Sequence, residues 1–140
     1  MTASADSPQP AAPAALPVDS AALSGPAIRT FANIAHAWHL NVEEQLNLLG
    51  APPRSTYFTW RKHPAKANLS RDTLERISNI LGIYKSLQIL LPDPQAADDW
   101  IREPNTAPLF GGGTALQRML AGNVSDLNAV RRYLDAMRGG

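Results

Sequence analysis

The sequence predicts an all-α fold, and three observations carry that prediction. Apolar residues recur at three- and four-residue spacing, as in Ile28, Phe31, Ile34, Ala35 and Trp38, and again in Leu127, Val130, Leu134 and Met137. That is the period of a helix with one buried face. Residues able to cap a helix stand ahead of such stretches, at Asn41, Ser55, Ser70, Thr114 and Ser125, where a side-chain oxygen can accept the first free amides. Glycine or proline then closes each stretch, at Gly50, Pro64, Pro92, Pro104 and Gly122, because proline cannot donate the helix bond and glycine accepts the backbone of a helix stop.

Composition sets the outer limits. With 140 residues the chain suits one domain or two small ones. Hydrophobic residues make up 44%, enough for a buried core. Cysteine is absent, which excludes disulfides and cysteine-held zinc and fits a reducing cytoplasm. No apolar run approaches the roughly 18–20 residues of a membrane span. The net charge is only +1, so any case for nucleic acid must rest on where the charges lie.

Residues 1–25 are rich in Ala, Pro and Ser, with Asp6 and Asp19 as the only charges. Such a segment buries too little to offset its ordering entropy, and a disordered tail is expected. No Lys or Arg precedes Arg29 and prolines break every apolar run, unlike a secretory signal. Structure is expected from Pro26, with a first helix carrying the stripe Ile28 to Trp38. A second helix should run from Val42 to Leu49, capped by Asn41, with Glu43 and Glu44 favourably placed in its first turn. After Gly50-Ala51-Pro52-Pro53, a third helix should run from Thr56 to His63 behind Ser55. Ser70 should cap a fourth through Leu81. Gly82 should interrupt, and an apolar helix should continue from Ile83 to Leu91.

Two helices, a short Gly/Pro turn and a polar-basic third helix are the helix-turn-helix arrangement, whose second helix enters the DNA major groove. Charge follows the same line. Residues 50–71 hold Arg54, Arg61, Lys62, Lys66 and Arg71 and no acid; residues 26–95 are net +3, the tail is −2, and residues 96–140 are balanced. Arg54, Ser55, Thr56, Thr59, Arg61, Lys62 and Lys66 are therefore the candidate DNA contacts. Trp60 reads as core, because an indole holds so short a helix against its neighbours. Of Tyr57 and Phe58, one reads as core and the other as a phosphate neighbour.

Beyond Pro92-Asp93-Pro94 the chain should form three short helices. One carries Asp98-Asp99-Trp100 and stops before Pro104, one holds Leu116, Met119 and Leu120, and the last holds the stripe Leu127 to Met137. Helices of two to three turns are unstable alone in water and need a shared core or a partner.

The run Trp100…Pro104-Asn105, Phe110-Gly111-Gly112, Leu116…Met119…Gly122, then Leu127…Val130-Arg131-Arg132-Tyr133-Leu134-Asp135 before Arg138-Gly139 resembles the C-terminal toxin-binding domain of the Xre/MbcA/ParS antitoxins. The run from Leu69-Ser70 through Leu74-Glu75-Arg76-Ile77-Ser78 and Leu81-Gly82-Ile83-Tyr84-Lys85 to Leu87 resembles the DNA-binding half of the same proteins. The resemblance implies a partner toxin with a RES domain that consumes NAD or transfers ADP-ribose from it, and an antitoxin C-terminus that covers the toxin active site. It points to Trp100, Asn105, Arg131, Tyr133, Leu134, Asp135, Arg138, Gly139 and Gly140 as toxin contacts. The Gly140 carboxylate and Arg138 guanidinium would complement an electropositive cofactor pocket that also holds a catalytic carboxylate.

Other chemistry is set aside. His36 and His39 lie three apart but lack a third ligand nearby in sequence, and a hydrolase built on them with His63 is remote. Gly111-Gly112-Gly113 lacks the preceding strand and the Gly-Lys-Ser/Thr ending of a phosphate loop. No catalytic set stands out, so neither enzyme activity nor a cofactor or metal is expected. The expected protein has a tail (1–25), a helix-turn-helix DNA-binding and dimerisation domain (26–94) and a toxin-binding domain (95–140). It binds toxin and operator DNA, works in the cytoplasm, and forms a homodimer through Ile83, Tyr84, Leu87, Leu90 and Leu91. The alternative is a solitary repressor whose C-terminal region only dimerises.

Overall fold

The computed structural model describes residues 20–139. The first helix, α1, spans Ser20–Ala37 and so begins before Pro26, where the sequence places the onset of structure. The reason is tertiary. Ser24 is fully buried and its hydroxyl accepts the Leu69 amide at 2.9 Å. Gly25 lies so close to Pro64 that a Cβ would come within 3.0 Å of that carbonyl oxygen. These contacts hold the opening turns across a proline that would otherwise mark the helix start. The rest of the tail lies outside the described residues.

Downstream, Ile28, Phe31, Ile34, Ala35 and Trp38 are all buried, as their spacing requires. Helix α2 (Val42–Leu48) opens on a reciprocal cap: Asn41 accepts the Glu44 amide at 2.8 Å and Glu44 accepts the Asn41 amide at 2.9 Å. Gly50, at φ +91°, ends it in the left-handed region. Helix α3 (Arg54–Lys62) starts ahead of the expected Ser55 cap, with Pro53 in the cap position and no side chain on its first amides. Proline's fixed φ lets it lead into a helix without a capping bond. A tight turn, Pro64–Lys66, follows.

Helix α4 runs unbroken over 20 residues, Arg71–Leu90, capped by Ser70 through the Thr73 amide at 3.1 Å. Gly82 does not interrupt it. A Cβ at Gly82 would lie 2.3 Å from Nε and 2.6 Å from Cζ of Arg131. The glycine is thus the gap through which the last helix approaches the α4 backbone.

Helix α5 (Pro94–Asp99) is capped by Asp93 and passes into a tight turn, Trp100–Arg102. The following loop closes on itself through the Pro104–Thr114 bridge and the Asn105 amide donating to Gly113 at 2.8 Å. Helix α6 (Ala115–Met119) carries the Thr114–Gln117 capping box. Helix α7 (Val124–Met137) opens at Asn123 rather than Ser125, because Asp126 Oδ2 accepts both the Asn123 amide at 3.3 Å and its side-chain amide at 3.1 Å.

Helices α4 and α7 lie side by side and run the same way, since Asn79 meets Asn128, Ser78 meets Arg131 and Ser86 meets Asp135. Ile80, Ile83 and Leu87 join Leu127, Val130 and Leu134 in one continuous core. Two expectations change as a result. Ile83 and Leu87 are covered by this chain's own core and are not free to dimerise. Met137, expected to complete the α7 stripe, is 53% exposed, because α7 outruns the core beneath it.

Candidate functional sites

The face of α3 turned away from the core is built by its helical period. Tyr57 is fully buried, and Thr56 and Trp60 are half-buried beside it. Arg54, Ser55, Phe58, Thr59, Arg61 and Lys62 are exposed, as is Lys66 on the next turn. The rest of the predicted DNA set therefore shares one surface, with Thr56 at its edge.

Several of these side chains are already engaged. Arg54 forms an ion pair with Glu43 of α2, which holds its guanidinium toward the helix start. The Thr59 hydroxyl donates to the Ser55 carbonyl at 3.0 Å. Arg61 lies over the Tyr57 ring, 5.8 Å from its centroid. Burial pushes the Tyr57 phenol up, with Arg61 pulling partly the other way, so the hydroxyl stays protonated and donates to Gln45 of α2. That bond and the Phe31–Tyr57 edge contact, 6.3 Å between centroids, fix α3 against α1 and α2.

Beside this face lies a shallow cavity of about 240 Å³, lined by His36 and His39 together with Gln45 and Arg61. The guanidinium makes it a poor seat for a cation. Among the described residues no three His, Cys, Asp or Glu side chains gather as metal ligands.

The second surface surrounds α7. Trp100, Phe110 and Tyr133 form an aromatic cluster: Trp100 and Tyr133 stack at 6.4 Å, and Phe110 meets both edge-on at 5.9 and 5.2 Å. Phe110 is buried; Trp100 and Tyr133 remain half-exposed. Asn105 is the hinge of its own loop, its side chain accepting the Ala107 amide at 2.8 Å. Leu134 is 1% exposed and presents no surface in this conformation.

Arg131 and Asp135 reach α4 while staying partly exposed. Arg131 crosses Gly82 and donates to the Ser78 carbonyl at 3.2 Å. Asp135 accepts the Ser86 hydroxyl at 3.1 Å, and Arg138 donates to the same hydroxyl at 3.3 Å. Past this row the chain is open. Met137, Arg138 and Gly139 are exposed, and Gly139 turns at φ +95°; Gly140 lies outside the described residues.

Sequence reasoning missed the residues that join the two surfaces. Arg102 donates to the carbonyls of Trp38 and His39, both at 3.0 Å, and lies 3.6 Å from Glu44. It thereby satisfies the end of α1 and meets the start of α2. Asn47 of α2 donates to the Leu120 carbonyl at 3.1 Å. Nothing local marks either residue, since each partner lies more than fifty positions away. Asp126 was missed too, within the second surface: besides its cap it pairs with Arg118 at 2.9 Å, while Arg118 reaches the Leu109 carbonyl at 3.3 Å. Burial alone would raise its carboxyl, but the bonds from Asn123 and Arg118 together prevail and hold it below the usual carboxylate range.

Comparison with known proteins places each surface within a matched domain. The antitoxin Xre-like helix-turn-helix domain matches residues 17–82, and the antitoxin Xre/MbcA/ParS C-terminal toxin-binding domain matches residues 86–140. A protein of Sinorhizobium fredii (strain NBRC 101917 / NGR234), named uncharacterized protein y4oB, is 50% identical over 113 residues, which is 81% of this chain and 84% of that one. The first match contains the basic face of α3 and the second contains α7 with its open end. The chain therefore belongs to the Xre/MbcA/ParS-type antitoxins, proteins that inhibit and regulate without being enzymes.

Proposed function

We propose that this type II antitoxin neutralises a RES-domain toxin by placing its C-terminal end in the toxin's NAD pocket, and that it represses its own operon through α3. The observation that carries the first part is the open end of α7. Met137, Arg138 and Gly139 are all exposed, so they can enter a narrow slot without disturbing the core. Trp100 and Tyr133 offer a half-exposed aromatic platform nearby in the same unit. Arg138 must leave Ser86 and Asp135 to do so. Those contacts, at 3.3 and 4.0 Å on an exposed side chain, cost little to break.

Operon repression is supported by the acid-free basic face of α3 and by the family of its domain. A homodimer matching a two-fold operator belongs to this reading; its interface is not the buried Ile83 and Leu87. Mass measurement at micromolar concentration, with and without toxin, checks it, and a strict monomer in both would remove it. The reducing cytoplasm is where this cysteine-free chain would act.

The decisive experiment removes Arg138, Gly139 and Gly140. Fold and most of the toxin affinity should survive, while inhibition of NAD consumption or protein modification should fall sharply. Arg138→Ala should be intermediate, because a toxin carboxylate left buried without its partner costs roughly 2–5 kcal/mol. Equal inhibition by the truncated chain would move the inhibitory surface to Trp100 and Tyr133.

A further inference from the structure

Phe58 is out of place by the usual rules. It is a large apolar side chain, 40% exposed, in the middle of a nine-residue helix whose other outward residues are polar. Its four neighbours on the helix surface, three and four positions away, are Arg54, Ser55, Arg61 and Lys62. All four are exposed, and α3 contains no acid. Among the described residues, the other large exposed apolar side chains, Leu23, Ile89 and Met137, have no such ring of cations.

That setting restricts what can cover the ring. Arg61 and Lys62, with Arg54 once it leaves its exposed ion pair with Glu43, surround one apolar centre and are complementary to a polyanion; Phe58 itself can neither donate nor accept a hydrogen bond, so it cannot hold a phosphate. On the edges of base pairs in the major groove, the apolar group is the C5-methyl of thymine. The ring has one fixed neighbour: it lies 5.7 Å from the Tyr57 ring at 45°, and Tyr57 is fully buried and bonded to Gln45. That contact reduces the side-chain freedom lost on binding.

We propose that Phe58 is a specificity-determining residue of the DNA interface, packing on a thymine methyl in the major groove while Arg54, Arg61 and Lys62 engage the flanking phosphates. This rests on the reading of α3 as the helix that enters DNA, and the test separates the two. The full chain first selects a duplex from a random library at fixed salt. Each thymine of that duplex is then replaced by deoxyuridine, which deletes only the methyl.

At one or two positions the wild-type chain should lose about three- to fivefold in affinity, the value of one buried methyl-sized group. Phe58→Ala should lose a similar factor on the thymine duplex and be indifferent to those same replacements, with an unchanged salt slope and thermal midpoint. Phe58→Leu should keep part of the methyl dependence, which shows that the Ala result is not a damaged fold. Wild-type indifference to every replacement, or equal methyl dependence in Phe58→Ala, overturns the inference and leaves the DNA reading standing. Loss of toxin binding without loss of DNA affinity in Phe58→Ala also overturns it, placing the ring on a protein. Failure to select any duplex overturns both.

Discussion

Helices α3 and α7 each carry a pair of adjacent basic residues, Arg61-Lys62 and Arg131-Arg132, and the chain treats the first arginine of each pair differently. On α3 the end of the basic face stays open, with Arg61 and Lys62 both exposed. On α7 the first arginine is laid across Gly82 and donates to the Ser78 carbonyl. One helix displays its charge, and the other uses it to close a contact within the chain. The same residue type stays open to solvent in one place and becomes internal structure in the other.

The largest effect should come from cutting the polar support of α7. Asp126→Ala removes a cap and the partner of half-buried Arg118 at once, and should destabilise the chain by about 3 kcal/mol in urea denaturation. The same carboxyl gives a pH signature. Its folded value is lowered, so its stabilisation is present above the ordinary carboxylate pKa and is lost as pH falls through the lower folded value. Wild type should lose stability on acidification below about pH 4, and Asp126→Ala should lose less over that window.

Next comes the glycine beneath Arg131. Gly82→Val should cost about 2 kcal/mol, because the new side chain must displace Arg131 from the α4 backbone. The comparison sharpens with a cycle. Gly82→Ala should destabilise the wild type yet be neutral, or stabilising by up to ~1 kcal/mol, once Arg131→Ala has emptied the gap. Additive effects would mean that the glycine and the arginine do not meet.

A smaller effect, on binding alone, is expected at α3. Arg61 and Lys62 changed together to Ala should lose on the order of tenfold in operator affinity near physiological salt. Each lost phosphate contact should make the salt slope shallower by about 0.9. Stability should shift by no more than about 0.5 kcal/mol, as for most exposed substitutions. Arg131→Ala should do the reverse, losing stability and keeping the slope. A shallower slope in Arg131→Ala would place α7 on DNA and erase the contrast.

The smallest effect on stability is expected from Arg138→Ala, within about 0.5 kcal/mol by thermal denaturation, since its ion pair with Asp135 is long and exposed. It is for that reason a clean probe of toxin inhibition.

What the sequence determined by itself was local. Helical spacing placed the α1 stripe in the core, Asn41, Ser70 and Thr114 capped the helices they precede, and Gly50 ended α2, because each of these is settled within one or two turns of chain. The motif order around Trp100, Phe110 and Tyr133 was also legible, and it pointed to the family. What needed the tertiary structure was every choice made by a distant partner. Ser24 and Gly25 extend α1 because of Leu69 and Pro64; Gly82 stays helical because Arg131 fills the space beside it; Arg102 matters because two carbonyls at the end of α1 are waiting for a donor. Ile83 and Leu87 looked like dimer surface only while α7 was absent from the reckoning. A residue's type fixes what it can bond to, but whether solvent, a partner or the chain itself supplies that bond depends on contacts that sequence spacing does not encode.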